Sequence, residues 1–245
     1  MLEINNYNSH ILSDITFSLK TNENLIILGE NGAGKSTLAK VLSNLIENNN
    51  VSVFNQNISD LSDKKRSEYI NYIPPKLSIF DEYITLREFF ELACINQIDN
   101  KKIDELINIL NLKKLEYKHC KAFSSGEKQL LLLGSSIMHN AKITIFDELT
   151  ANLDISRLKE VFDIFKANYL QQKIVITHNL DLAYALKYKV LYMKDGEIVF
   201  FGESDEFFST ENLKFFYNNS IQKVNEHLVV NLWNLAYILS QQLFL

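Results

Sequence analysis

Between residues 29 and 37 the chain reads Gly-Glu-Asn-Gly-Ala-Gly-Lys-Ser-Thr. Glycines at 29, 32 and 34 let a backbone wrap a phosphate chain with its N–H groups turned inward. Lys35 is a point cation long enough to reach β- and γ-phosphates, and Ser36 offers a hydroxyl to Mg²⁺. Glu30, Asn31, Ala33 and Thr37 complete the loop. Much later, an apolar run from Ile143 to Phe146 ends in Asp147 and Glu148. A carboxylate at the end of a buried strand is costly unless it meets a cation. Beside a phosphate loop, Asp147 would hold Mg²⁺ through water, and Glu148 would polarise the water that attacks a γ-phosphate. The chemistry in view is transfer of a γ-phosphoryl group to water. A plain glycine-rich turn leaves unexplained why so many of the chain's seven glycines gather in this one loop.

These residues need a strand before the loop and a helix after it. Leu25 to Leu28 form a short apolar run of buried-strand type. Leu38, Val41, Leu42 and Leu45 have helical spacing, and a helix beginning at Lys35 aims its positive end at the phosphates. Ahead of the loop, Ile15, Phe17 and Leu19 alternate, so residues 1–20 read as an antiparallel strand pair. A strand at 51–54, a helix over 60–69 and a strand over 70–73 follow, stopped by Pro74-Pro75. Thr85 to Glu88 have capping-box spacing, which predicts a helix through Ala93. Ile103, Leu106, Ile107 and Leu110 share one helical face, and a third helix is expected from Ser125 to His139. Strands resume at 143–146, 173–177, 189–193 and 197–201, the last two joined by the turn signal Asp195-Gly196. Helices over 155–170 and 179–187 alternate with them, which predicts a parallel sheet. The expected division is an α/β core over 1–75 and 140–225, a helical insert over 76–139, and a helical tail over 226–245.

Two further groups carry polar chemistry. Phe123-Ser124-Ser125-Gly126-Glu127 opens a helix and would form a second anion site at its N-terminus. Ala151-Asn152-Leu153-Asp154 follows the acidic pair, and His178 ends the strand at 173–177. The formal net charge of −5 gives no reason to expect nucleic acid as a partner. Cys94 and Cys120 have neither metal-site nor disulfide spacing, which suits a reducing compartment. No leader pattern opens the sequence, and no run of about 20 apolar residues spans a membrane.

Taken in order, these motifs resemble the nucleotide-binding subunit of ABC transporters, over residues 2 to about 220. The resemblance implies a P-loop NTPase (RecA-like) core with an N-terminal antiparallel β subdomain and an α-helical insert. It makes Tyr7 the aromatic that stacks on adenine, 29–37 the Walker A loop, and 143–148 the Walker B strand with Glu148 as catalytic base. Ser124, Ser125, Gly126 and Glu127 become the signature that contacts ATP held by the opposite subunit. Residues 151–154, with Asp154, match the D-loop, and His178 matches the switch histidine that senses the γ-phosphate. It further implies ATP and Mg²⁺ as ligands, a homodimer sandwiching two ATP molecules, transmembrane permease partners, and a cytoplasmic place on the inner face of the membrane. Asp60-Leu61-Ser62, the run from Arg66 to Pro75, and Ser209 to Leu213 look most like importer subunits for iron-siderophores, haem and vitamin B12. Three positions depart from the family pattern: Pro75 replaces a Mg²⁺-ligating glutamine, Ser125 replaces a glycine, and Leu149 replaces a proline. A non-transport ABC ATPase and a nucleotide-binding regulatory module with weak turnover are the alternative readings.

Overall fold

A computed structural model describes residues 1–79, 81–95, 97–151, 153–225 and 227–231. Strands β1 (Leu2–Tyr7) and β2 (Ile15–Leu19) pair antiparallel, with Ile15, Phe17 and Leu19 all facing the core. Strand β3 (Leu25–Gly29) runs into helix α1 (Lys35–Leu42) through the glycine loop. The chain then returns to the first sheet with β4 (Val51–Val53) and β5 (Gln56–Asn57) before α2 (Asp63–Tyr69) and β6 (Ile70–Ile73). Helices α3 (Leu86–Ala93), α4 (Asn100–Ile109) and α5 (Ser125–His139) form the insert. Next come β7 (Ile143–Asp147), α6 (Ile155–Lys166), β8 (Gln172–Ile176), α7 (Leu180–Leu186), β9 (Lys189–Lys194) and β10 (Glu197–Gly202). The described chain closes with α8 (Ser204–Phe207), α9 (Thr210–Tyr217), β11 (Ile221–Val224) and β12 (His227–Val230).

The central sheet has the order β10-β9-β3-β8-β7-β6. All its pairings are parallel except β9 with β10, which turn back at Asp195-Gly196, both in the left-handed region. The inner strands β9, β3, β8 and β7 are buried on both faces, which is why they read as largely apolar runs, whereas the edge strand β10 is not. Along β3, Leu25 and Ile27 point into one core with β1, β2, β4 and α1. Ile26 and Leu28 point into the other, with α3 to α7. The first sheet, in the order β2-β1-β4-β5, therefore covers one face and the helices cover the other. This is the expected α/β P-loop architecture with a β subdomain and a helical insert.

Four expectations need correction. Leu45 is 62% exposed, because α1 stops at Leu42. There the Ser43 hydroxyl donates back to the Ala39 carbonyl and Asn44 turns left-handed. The helix expected over 60–69 starts only at Asp63, where the Ser62 side chain accepts from the Lys65 amide. The helix expected to reach 170 ends at Lys166. Residues 227–230 pair as a strand with 221–224, where a helical tail from 226 was expected. The remainder of that expected tail, 232–245, lies outside the described residues, as does Asn152. Among the described residues, no helix is long and apolar enough to cross a membrane.

Candidate functional site

Three elements meet at the carboxyl ends of the parallel strands. The loop after β3 approaches the neighbouring strand so closely that a Cβ at Gly29 would lie 2.3 Å from the Met193 carbonyl oxygen. Gly34, at φ 95°, caps α1 in the left-handed region. Glycine reaches that region without the steric cost of a side chain. Lys35 is 5% exposed, and its Nζ donates to the carbonyls of Gly29 and Glu30 at 2.9 and 2.8 Å. Burial pulls its ammonium below the ordinary lysine range, while the Glu148 and Asp147 carboxylates work the other way.

Asp147 closes β7 and is 1% exposed. Ser36 Oγ donates to its Oδ1 at 3.0 Å. The Tyr72 hydroxyl donates to its Oδ2 at 2.8 Å. Glu148 follows at φ 54°, left-handed, with its amide bonded to the Ile176 carbonyl of β8. This turn swings its carboxylate to His178, whose Nε2 lies 2.9 Å from Glu148 Oε1. The hydroxyls of Thr150 and Thr177, 3.1 Å apart, tie the segment after Glu148 to the one that carries His178.

A cavity of about 290 Å³ opens over the loop, lined among others by Ile11, Asn31, Gly32, Lys35, Ser36 and Glu148. Gly34 and Thr37 complete its floor. Gly29 and Glu30 face a neighbouring cavity of about 360 Å³, which they share with His178. Ala33 is buried, with its amide on the Glu30 carbonyl. A glycine loop at a helix N-terminus, a buried cation and paired oxygen ligands suit a polyphosphate and a hard divalent cation. Ser36 Oγ and Asp147 Oδ1, already side by side, form such an oxygen pair.

The model of the ABC transporter family matches residues 12–151. The chain belongs to that family. It has the fold of an ATP-binding cassette. An ABC transporter ATP-binding protein of Clostridium tetani is 33% identical over 198 residues, which are 77% of this chain and 45% of that protein. The chain thus spans about half the length of that relative. The phosphonates import ATP-binding protein PhnC of Fusobacterium nucleatum is 29% identical over 224 residues, 83% of this chain and 91% of its own. The dimeric ATP-binding cassette MJ0796, in a post-hydrolysis state bound to ADP and Pi, superposes with a TM-score of 0.73. It shares 21% identity over 83% of this chain and 99% of that one, a likeness of fold.

Within the cassette, two groups of expected site residues stand apart from the loop cavity. Ser124, Ser125, Gly126 and Glu127 start α5 and do not line it. Ser124 and Glu127 form a reciprocal capping box, each side chain accepting the other's amide. Burial works to raise the Glu127 carboxyl, but the Ser124 amide and hydroxyl outweigh it and hold it below the ordinary range. A methyl added at Gly126 would sit 3.8 Å from Leu153, so the start of α5 abuts the segment before α6. Asp154 caps α6, accepting from the Arg157 amide and the Ser156 hydroxyl at 2.8 Å each.

Tyr7, expected to stack on adenine, also stands apart from the loop cavity. It is 8% exposed and packs in the core under the first sheet. Ile11, in the connection between β1 and β2, is 41% exposed and lines that cavity. Leu12, its neighbour, packs directly over Gly34. Sequence reasoning passed over Ile11 because nothing local separates it from a core aliphatic. It also missed Tyr72, and Gln129, whose side-chain amide donates to the Pro75 carbonyl at 2.9 Å. Both contacts join segments more than fifty residues apart, beyond any local pattern.

Proposed function

We propose that this cassette hydrolyses ATP as one half of a homodimer, in the cytoplasm on the inner face of the membrane, and drives a permease that imports an iron chelate, haem or cobalamin-like compound. The observation that carries the ATPase reading is the contact set Lys35, Ser36, Asp147, Glu148 and His178 around one loop. Lys35 and the loop amides would bind the β- and γ-phosphates. Ser36 and Asp147 would hold Mg²⁺, which offsets phosphate charge when bound. Glu148 accepts a proton from water as the water oxygen attacks the γ-phosphorus and the β–γ bridging bond breaks, leaving ADP and phosphate. His178 holds the Glu148 carboxylate in place and faces the departing phosphate.

Support for the homodimer comes from where the signature sits. Ser124–Glu127 lie away from the chain's own loop cavity, which suits contact with an ATP held by a second copy. For the permease, support comes from the helical insert. Tyr83, Leu92 and Ile98 are exposed and line a groove rimmed by Asp81, Glu88 and Glu91. Such a patch suits a short apolar segment with basic ends. The substrate class rests on the resemblance at 60–62, 66–75 and 209–213, where Ser62 and Ser209 cap α2 and α9. PhnC bears the name of an importer, for phosphonates, so uptake assays should set iron chelates against phosphonates.

Glu148→Gln tests the central claim. The amide keeps the shape and is a far weaker base. Hydrolysis should fall at least a hundredfold by phosphate release, with ATP binding retained and a dimer visible by size exclusion in Mg-ATP. Full turnover in that variant removes Glu148 from the role of base. A variant that binds ATP yet stays monomeric, when wild type dimerises, removes the sandwich.

A further inference from the structure

Tyr72 lies within the Arg66–Pro75 run, and its hydroxyl touches the carboxylate on which the metal side of the site depends. It lies on β6, opposite Ile145 of β7 and so two residues short of Asp147 across the pair. Its hydroxyl donates to Asp147 Oδ2 at 2.8 Å, while Ser36 Oγ donates to Oδ1 at 3.0 Å. A buried carboxylate bonded at both oxygens is locked in rotation about its Cβ–Cγ bond. The two bonds differ in kind. Ser36 belongs to the loop and is itself a candidate metal ligand, so its hydroxyl is shared with the cation. Tyr72 belongs to the sheet, where its ring packs against the core and its hydroxyl meets Asp147. Three residues further along the same segment, Pro75 offers no side-chain donor or acceptor. Tyr72 is therefore the point at which β6 reaches the metal side.

We propose that Tyr72 is a positioning residue for Mg²⁺, fixing the plane of the Asp147 carboxylate so that Oδ1 faces Ser36. The proposal rests on the ATPase reading above. Groups that hydrogen-bond a metal-ligating carboxylate set the orientation of that ligand, and their loss costs about 10- to 100-fold in metal affinity. Tyr72→Phe removes the hydroxyl and keeps the ring. Affinity for a fluorescent ATP analogue is measured first in EDTA, where no divalent ion contributes. Mn²⁺ binding to the protein–ADP complex is then titrated by electron paramagnetic resonance.

The variant should bind nucleotide in EDTA as wild type does. Its Mn²⁺ affinity should fall about 10- to 100-fold, and its ATPase should recover as Mg²⁺ is raised. Equal Mn²⁺ affinity in the two proteins overturns the proposal and leaves the ATPase reading standing. A loss of nucleotide affinity in EDTA overturns it as well, because the hydroxyl then supports the loop or the fold rather than the metal. A wild-type protein that binds no nucleotide overturns the ATPase reading and this proposal with it.

Discussion

Tyr7 and Ile11 show what residue type alone conveys and what it leaves out. An aromatic shortly before a phosphate loop matches the family pattern, but whether its ring faces core or cavity depends on the strand's pleat and register. Tyr7 pairs with Ile15 at the end of β1, after a register shift from Ile4, and turns inward. Tyr7→Ala should therefore act on stability, costing about 3 kcal/mol as other large core truncations do. Its nucleotide affinity should hold in whatever fraction stays folded. Ile11→Ala removes three carbons of exposed side chain at the cavity. At about 0.8 kcal/mol per buried CH₂ it should weaken ATP binding about tenfold or more, with little change in unfolding. Urea denaturation and a fluorescent-nucleotide titration separate the two. If Tyr7→Ala folds normally and loses nucleotide, Tyr7 is the base platform after all. By contrast, the loop and the acidic pair are legible because their chemical reading follows from residue type at a strand end, a position that local pattern identifies, whereas the reading of His178 comes only from the family resemblance.

At the scale of elements, legibility follows the range of the forces. The capping boxes at Thr85/Glu88 and Ser124/Glu127 need only four residues, and both helices start where those boxes stand. Helix ends were harder to place. Most described non-glycine residues with positive φ are asparagines, among them Asn44, Asn55, Asn140 and Asn218. With only seven glycines, the chain uses asparagine to end helices and turn corners. Its abundance thus has a backbone reason that the bare count hides. The loop after β6 has its own constraint: Pro75 fixes its φ, and Gln129 of α5 holds its carbonyl. Pro75→Gln restores a side-chain amide without removing that carbonyl. Mg²⁺-dependent ATPase should rise about tenfold or more, equivalent to about 1.4 kcal/mol of barrier, with little change in ATP affinity. A kcat that stays level or falls, both alone and with the permease, means Pro75 is no handicap.

For the whole molecule, alternating strands and helices were enough to place the parallel sheet and the helical insert. What they could not disclose is which apolar side chains stay outside once the insert has folded. Leu92 belongs to α3, whose other face buries Leu86 and Phe90, yet Leu92 itself is 76% exposed. If the groove it lines receives the permease, Leu92→Asp should leave the isolated cassette's ATPase within about twofold, as surface changes within ±0.5 kcal/mol do. It should abolish the stimulation that the permease gives in reconstituted vesicles. Retained stimulation places the contact elsewhere. One last consequence concerns Glu148 and its φ of 54°. A left-handed backbone at a non-glycine residue costs about 1–2 kcal/mol. Glycine and asparagine occupy that region more readily, and neither could serve as the base proposed for Glu148. A laboratory population selected only for heat resistance would therefore drift toward replacing this glutamate, its survivors sturdier and inert. On the proposed role of Glu148, it is demand for turnover that keeps an acidic side chain at that corner.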